Sequence, residues 1–151
     1  MDERTAVEVP VEGSPPATSP AILIMALGRR LRAEIERDLA ASGLALRHLS
    51  ALGHLGREPG LSYSELARRA GITVQSMQAT LRQLESMGAV ERRTPSGRGR
   101  TAELHLTDAG RRMRATGMQV VGAADRRLTA GLPERDASVL GELLMQLFRE
   151  P

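Results

Sequence analysis

Between Thr73 and Met87 the chain carries side chains suited to reading the edges of base pairs. Met77, Leu81 and Leu84 recur at helical steps and form one apolar stripe. The opposite face then presents Gln75, Ser76, Gln78, Ala79, Arg82 and Gln83. Glutamine pairs with the adenine edge, serine serves as donor or acceptor, alanine touches the thymine methyl, and arginine pairs with guanine. Arg82 is the one guanine-reading side chain in that set, so the face leans towards A·T contacts. The same residues would also make an ordinary solvated helix surface, so the elements around them must decide.

Residues 61–107 run in the order helix, turn, helix, hairpin. Ser62 and Glu65 are spaced as a capping box that starts one helix. Gly71 ends that helix and makes the tight turn. Thr73 caps the next helix and Gly88 stops it. Val90 and the pair Leu104/Leu106 suit the two strands of a wing. Arg92, Arg93, Arg98 and Arg100 ring that wing, and some of them are expected as contacts to phosphate, which position without specifying. Ser62 and the amides beside it offer a further phosphate site, as helix starts do. This order is that of a winged helix-turn-helix, in which one helix enters the major groove.

Helices flank this reader. Ile24, Leu27, Leu31 and Ile35 recur at 3, 4 and 4 and predict an amphipathic helix over residues 21–41, stopped at Gly43. A second helix is expected over residues 46–56 with Leu49, Leu52 and Leu55 inward, broken by Pro59-Gly60. Thr107 caps a long helix to about Ala130, with Met113, Val120, Val121, Ala124 and Leu128 apolar. Pro133 is expected in the first turn of the last helix, whose apolar face is Leu140, Leu143, Leu144, Leu147 and Phe148. The expected class is mainly α with a small β-wing. Residues 1–20, acidic and punctuated by Pro10, Pro15, Pro16 and Pro20, are expected to be a disordered tail, followed by one domain over 21–151. Within it the reader occupies about 44–107, and helices 21–41 and 108–149 serve dimerisation. Both ends are too apolar to lie alone, and a helical reader generally needs a second copy to span two half-sites. An effector pocket is expected where those helices meet the reader, near Ile24, Leu27, Leu31, Leu49, Leu52 and Leu55, with Arg47 or His48 at its polar edge. Plain apolar core beside exposed polar residues is the alternative.

Composition narrows the chemistry. All 21 basic residues are arginine, and the net charge of +3 is unevenly placed. Residues 61–114 hold ten arginines against five acidic residues, whereas residues 1–20 hold one against four. That bias fits a polyanionic partner. Cysteine is absent, which removes thiol switching and Cys-ligated zinc. His48, His54 and His105 have no metal-site spacing. No phosphate loop or nucleophile elbow is present, so neither an enzyme nor a cofactor is expected. No apolar run approaches the roughly 18 residues of a membrane span, and no secretory leader is visible, so a cytoplasmic protein is expected.

Together the stretches Arg57-Glu-Pro-Gly-Leu-Ser62, Glu65-Leu-Ala67, Leu84-Glu85 with Gly88, Val90-Glu-Arg92, and Leu106-Thr-Asp-Ala-Gly110 resemble the multiple-antibiotic-resistance regulator (MarR) family of bacterial transcription factors. The resemblance covers residues 22–148. It implies a homodimer on a pseudo-palindromic operator in double-stranded DNA, usually repressing, and often released by a small anionic or aromatic effector. Family wings usually carry Asp-x-Arg, the Asp bracing an Arg in the minor groove. Here the turn is Ser96-Gly97-Arg98-Gly99-Arg100, so Arg100 matches that Arg and Arg98 replaces the Asp. Many members also have a basic residue where Ala79 stands. Two alternatives remain beside repression: activation by displacing a nucleoid protein, and a winged-helix module that binds protein rather than DNA.

Overall fold

A computed structural model describes residues 19–94 and 102–149. Their elements are α1 (Pro20–Ala40), α2 (Leu46–Arg57), α3 (Tyr63–Ala70), α4 (Val74–Ser86), β1 (Val90–Arg93), β2 (Glu103–Leu106), α5 (Asp108–Thr129) and α6 (Glu134–Arg149). The mainly helical class with a small wing is as the sequence predicts. Nearly all of the expected tail lies outside the described residues, and so do Arg98 and Arg100.

The chain forms two units, residues 1–33 and 34–151. The described part of the first is the N-terminal stretch of α1. Pro20 opens it, where a missing N–H breaks no helical bond. Ile22, Leu23, Ile24, Met25 and Leu27 are exposed along it.

The second unit holds the reader. Leu52 and Leu55 of α2, Leu66 of α3, and Met77, Leu81 and Leu84 of α4 interlock with Val90, Leu104 and Leu106 of the wing. Each fully buried leucine among them contributes about 1.5–3 kcal/mol through removal from water. β1 and β2 pair antiparallel, Val90 opposite Leu106 and Arg93 opposite Glu103. The α2–α3 loop joins their edge: Leu104 N donates to Leu61 O at 3.1 Å, and Gly60 N to Leu104 O at 2.9 Å. A second cluster gathers Leu39, Leu44 and Leu49 against Met113, Val120 and Val121. Beside it Arg127 of α5 bonds Glu34 at 2.5 Å and Asp38 at 2.7 Å.

The join between wing and α5 is tight. Thr107 caps α5 by accepting from Gly110 N at 3.0 Å, while its hydroxyl donates to Gly88 O at 2.6 Å. Its own N–H donates to Ala89 O at 3.1 Å. A Cβ at Gly110 would lie 2.0 Å from that carbonyl oxygen, so only glycine permits the approach.

Two local expectations shift. α2 runs on to Arg57, one residue past Gly56. Pro133 lies just before α6 rather than in its first turn. Its carbonyl accepts from the N–H groups of Asp136 and Ala137, so it serves as the cap position. α6 itself has no buried residue. Val139, Leu143, Leu144, Met145, Leu147 and Phe148 are exposed along it, Phe148 by 86%.

Candidate nucleic-acid interface

The reading helix is set by its caps. Ser62 accepts from Glu65 N at 3.3 Å, and Glu65 accepts from Ser62 N at 2.8 Å, which closes the predicted capping box. The Ser62 hydroxyl, which donates to the same carboxyl at 2.7 Å, and then the Ser62 N–H hold the Glu65 carboxyl below its usual range. Gly71 ends α3 in the left-handed region at φ 66, which turns the chain into α4. Thr73 then accepts from Ser76 N at 3.1 Å and donates to the Ser76 hydroxyl at 2.9 Å. Ser62, Thr73 and Ser76 therefore all act in caps in the free protein.

α4 buries Met77, Thr80, Leu81 and Leu84. Gln75, Ser76, Gln78, Ala79, Arg82 and Gln83 are exposed, the face expected from the sequence. Ile72 and Val74 are exposed beside them and escaped the sequence reading. Their position at the helix start, next to Gln75 and Gln78, was the available signal. Among the described residues Gln75, Gln78 and Arg82 have no hydrogen-bond partner. Elsewhere many arginines are paired: Arg69 with Glu58, Arg93 with Glu91, Arg111 with Asp108, Arg127 with Glu34.

Gln78 and Arg82 share a cleft of about 280 Å³ with Tyr63 and Arg92. Arg92 lies 5.1 Å from the centre of the Tyr63 ring, a cation–π distance, and bonds the Tyr63 hydroxyl. Glu85 closes the group, accepting from Tyr63 at 3.3 Å and from Arg92 at 3.5 Å. Burial and the nearby Glu85 charge push the Tyr63 phenol above its ordinary pKa, against the opposing pull of Arg92. Tyr63 was not singled out in the sequence, and Glu85 only within the family motif, because the two lie 22 residues apart.

The residues expected to line an effector pocket fall in both units. Leu27 and Leu31 lie in the first unit. Leu52 is fully buried in the reader core. Arg47 and His48 both bond Gln83 of α4. An open cleft of about 260 Å³ lies elsewhere, walled by Arg93, His105, Arg111 and Arg114 over Leu55 and Gly56. Arg114 Nε is buried there without a partner in the described residues. Gly56 makes room for it: a Cβ at that position would lie 2.7 Å from Arg114 Nε. Arg111 and Arg114 were missed because their placement depends on how α5 crosses α2. Among the described residues no group of three or more His, Asp or Glu could hold a metal ion, and no helix is long and apolar enough to cross a membrane.

A capped helix-turn-helix, an antiparallel wing and long flanking helices define a winged helix-turn-helix protein. The chain belongs to the MarR family of transcription regulators. The family's profile matches residues 42–101. The HTH-type transcriptional repressor Rv2887 of Mycobacterium tuberculosis is 41% identical over 110 residues, which cover 73% of this chain and 79% of the relative. The crystal structure of Rv2887 in complex with DNA is similar at a TM-score of 0.75 and 34% identity, covering 89% of this chain and 98% of that one. Rv2887 in complex with salicylic acid is similar at 0.73 and 35% identity, covering 90% and 98%.

Proposed function

We propose that the chain is a repressor that binds double-stranded DNA as a homodimer, with α4 of each copy in a major groove. The observation that carries this reading is the free state of Gln75, Gln78 and Arg82 on the outer face of a doubly capped helix. Unpartnered glutamine and arginine side chains on a rigid helix are what base edges require. The related Rv2887 binds DNA and is named a repressor. Ala79, Ile72 and Val74 supply apolar contacts for thymine methyls. Arg92 and Arg93 approach phosphate from the wing, and Ser62 and Thr73 present their helix starts to it. Arg98 and Arg100 complete the wing charge as read from the sequence. The reader at about 44–107 is flanked in sequence by dimerisation helices, and the protein acts without cofactor or catalysis, as a cytoplasmic regulator.

Selection of bound duplexes from a random pool tests this directly. Gln78→Ala is then expected to weaken the selected duplex by about 1–3 kcal/mol and to relax one position in each half-site. Equal weakening on selected and scrambled duplexes would remove Gln78 as a reader. Failure of the wild type to prefer any duplex would leave the protein-binding alternative standing.

The cleft at Arg114 favours a second component, release by a small carboxylate. A buried guanidinium nitrogen without a partner is costly and calls for an acceptor. Salicylic acid binds the related Rv2887. Salicylate is expected to raise the melting temperature of this protein and to weaken its DNA binding. Arg114→Met should lose both effects while still binding DNA. Full salicylate response in that variant would place the effector elsewhere.

A further inference from the structure

The side chain of Gln83 sits at the meeting of α2 and α4. Arg47 donates to its Oε1 from Nη2 at 3.1 Å and from Nε at 3.4 Å. His48 Nε2 lies 2.9 Å from the same oxygen. Arginine has no acceptor, so the Gln83 atom it meets must be the carbonyl oxygen. An oxygen acceptor then requires His48 Nε2 to carry a proton. On the other side of the ring, Ala45 N donates to His48 Nδ1 at 3.1 Å, so Nδ1 is bare. The imidazole is thus neutral, in one defined tautomer, with both nitrogens satisfied. It is also buried, only 6% exposed.

This chain of bonds runs from the start of α2, through a fixed imidazole, to the last turns of α4. Ala45 has no side chain to cap α2, but the His48 ring accepts the Ala45 N–H, the reciprocal half of a capping box. The residue that anchors α2 is therefore the residue that grips α4. Met77, Leu81 and Leu84 hold α4 against the core but leave it free to roll about its axis, since apolar packing has little directionality. Hydrogen bonds at the end of the polar face fix that roll.

We propose that Gln83 is a positioning residue of the reading helix, held by Arg47 and His48, and not a contact to base or phosphate. The inference rests on the reading of α4 as the helix that enters DNA. Because the amide oxygen is engaged by two donors on α2, Gln83 sets the angle at which Gln75, Gln78 and Arg82 meet the groove. Arg47 and His48 then belong to the reader rather than to an effector site.

The two roles make opposite predictions for Gln83→Glu. A carboxylate keeps the acceptor for Arg47 and His48, so a positioning residue tolerates it. A carboxylate facing the DNA backbone is repelled. Titrations of the full-length wild type, Gln83→Glu and Gln83→Leu against the selected and a scrambled duplex separate them. Gln83→Glu is expected within about threefold of wild type, whereas Gln83→Leu should lose about tenfold or more on the selected duplex and much less on the scrambled one. Strong loss in Gln83→Glu, or unchanged discrimination in Gln83→Leu, overturns the proposal. Nitrogen-15 spectra of the wild-type histidines give a readout that needs no variant. His48 is expected as the neutral ring protonated at Nε2, and the opposite tautomer at neutral pH also overturns it. A wild type that prefers no duplex, with His48 in the expected form, would instead discard the reading of α4 as the DNA helix while leaving the bond network intact.

Discussion

Gly110→Ala is expected to lower the melting temperature by on the order of 8 °C, although alanine is the better helix former. Exchanging glycine for alanine inside a helix ordinarily gains about 1 kcal/mol. At position 110 the new methyl would stand 2.0 Å from the carbonyl oxygen of Ala89. That neighbour is backbone and cannot swing aside. It is pinned by Thr107, whose N–H donates to the same oxygen and whose hydroxyl reaches Gly88 O. Overpacking of this kind costs about 3 kcal/mol, so the net loss is about 2 kcal/mol or more. At about 4 °C per kcal/mol for a chain of this size, the fall is readable by calorimetry. Gly122→Ala in the same helix is the control. Its Cβ would meet only the Arg126 guanidinium, at an ordinary 3.6 Å, and should stabilise by about 0.5–1 kcal/mol. Equal melting temperatures for the two variants would show that the approach of α5 to Ala89 is not as tight as described.

The second large effect is expected at α6. Leu144→Asp combined with Phe148→Asp should convert a dimer into a monomer and reduce operator affinity by about 10²–10⁴-fold, the usual loss when two linked sites act singly. No residue of α6 is buried within the chain, and six large apolar side chains line it in the open. An isolated patch of that kind marks an interface. Both substituted residues are exposed, so the fold of the single chain should survive and its melting behaviour serves as the check. Light scattering should give about twice the 16.3 kDa chain mass for wild type and the chain mass for the variant. A variant that remains dimeric would place the interface elsewhere. A wild type that is monomeric would remove the two-half-site account altogether.

What could be read from the sequence was local. Ser62 with Glu65, and Thr73 with Ser76, are caps that close over three residues, so their spacing carries the whole interaction. The period of Met77, Leu81 and Leu84 likewise names the outer face of α4 without knowledge of what lies beneath. What the sequence could not show is a bond whose partner is distant along the chain. Gln83 reads as part of the outer face of α4 and His48 as the polar edge of an apolar cluster, and nothing local reveals that the two, 35 residues apart, are bonded to each other. Arg92 reads as one charge of the wing, and nothing in its neighbourhood along the chain reveals Tyr63, 29 residues away. Arg114 was passed over because its buried nitrogen acquires meaning only from the crossing of α5 over Gly56. Exposed glutamines look alike in a sequence, and only the fold shows which one is already engaged.

The close approach at Gly110 is one of a pair along α5, since a Cβ at Gly117 would likewise meet Leu49 at 2.6 Å. Together they seat α5 on the α4–β1 connection at one point and on α2 at another. A helix seated at two points resists pivoting on the body beneath it. In a dimer, each reader would then move with its α5 as a solid piece, and the gap between the two reading helices becomes a length standard. Such a regulator would measure its operator as well as read it: a half-site of correct sequence, displaced by a base pair, is expected to be rejected by distance and by the rotation of the DNA helix that goes with it.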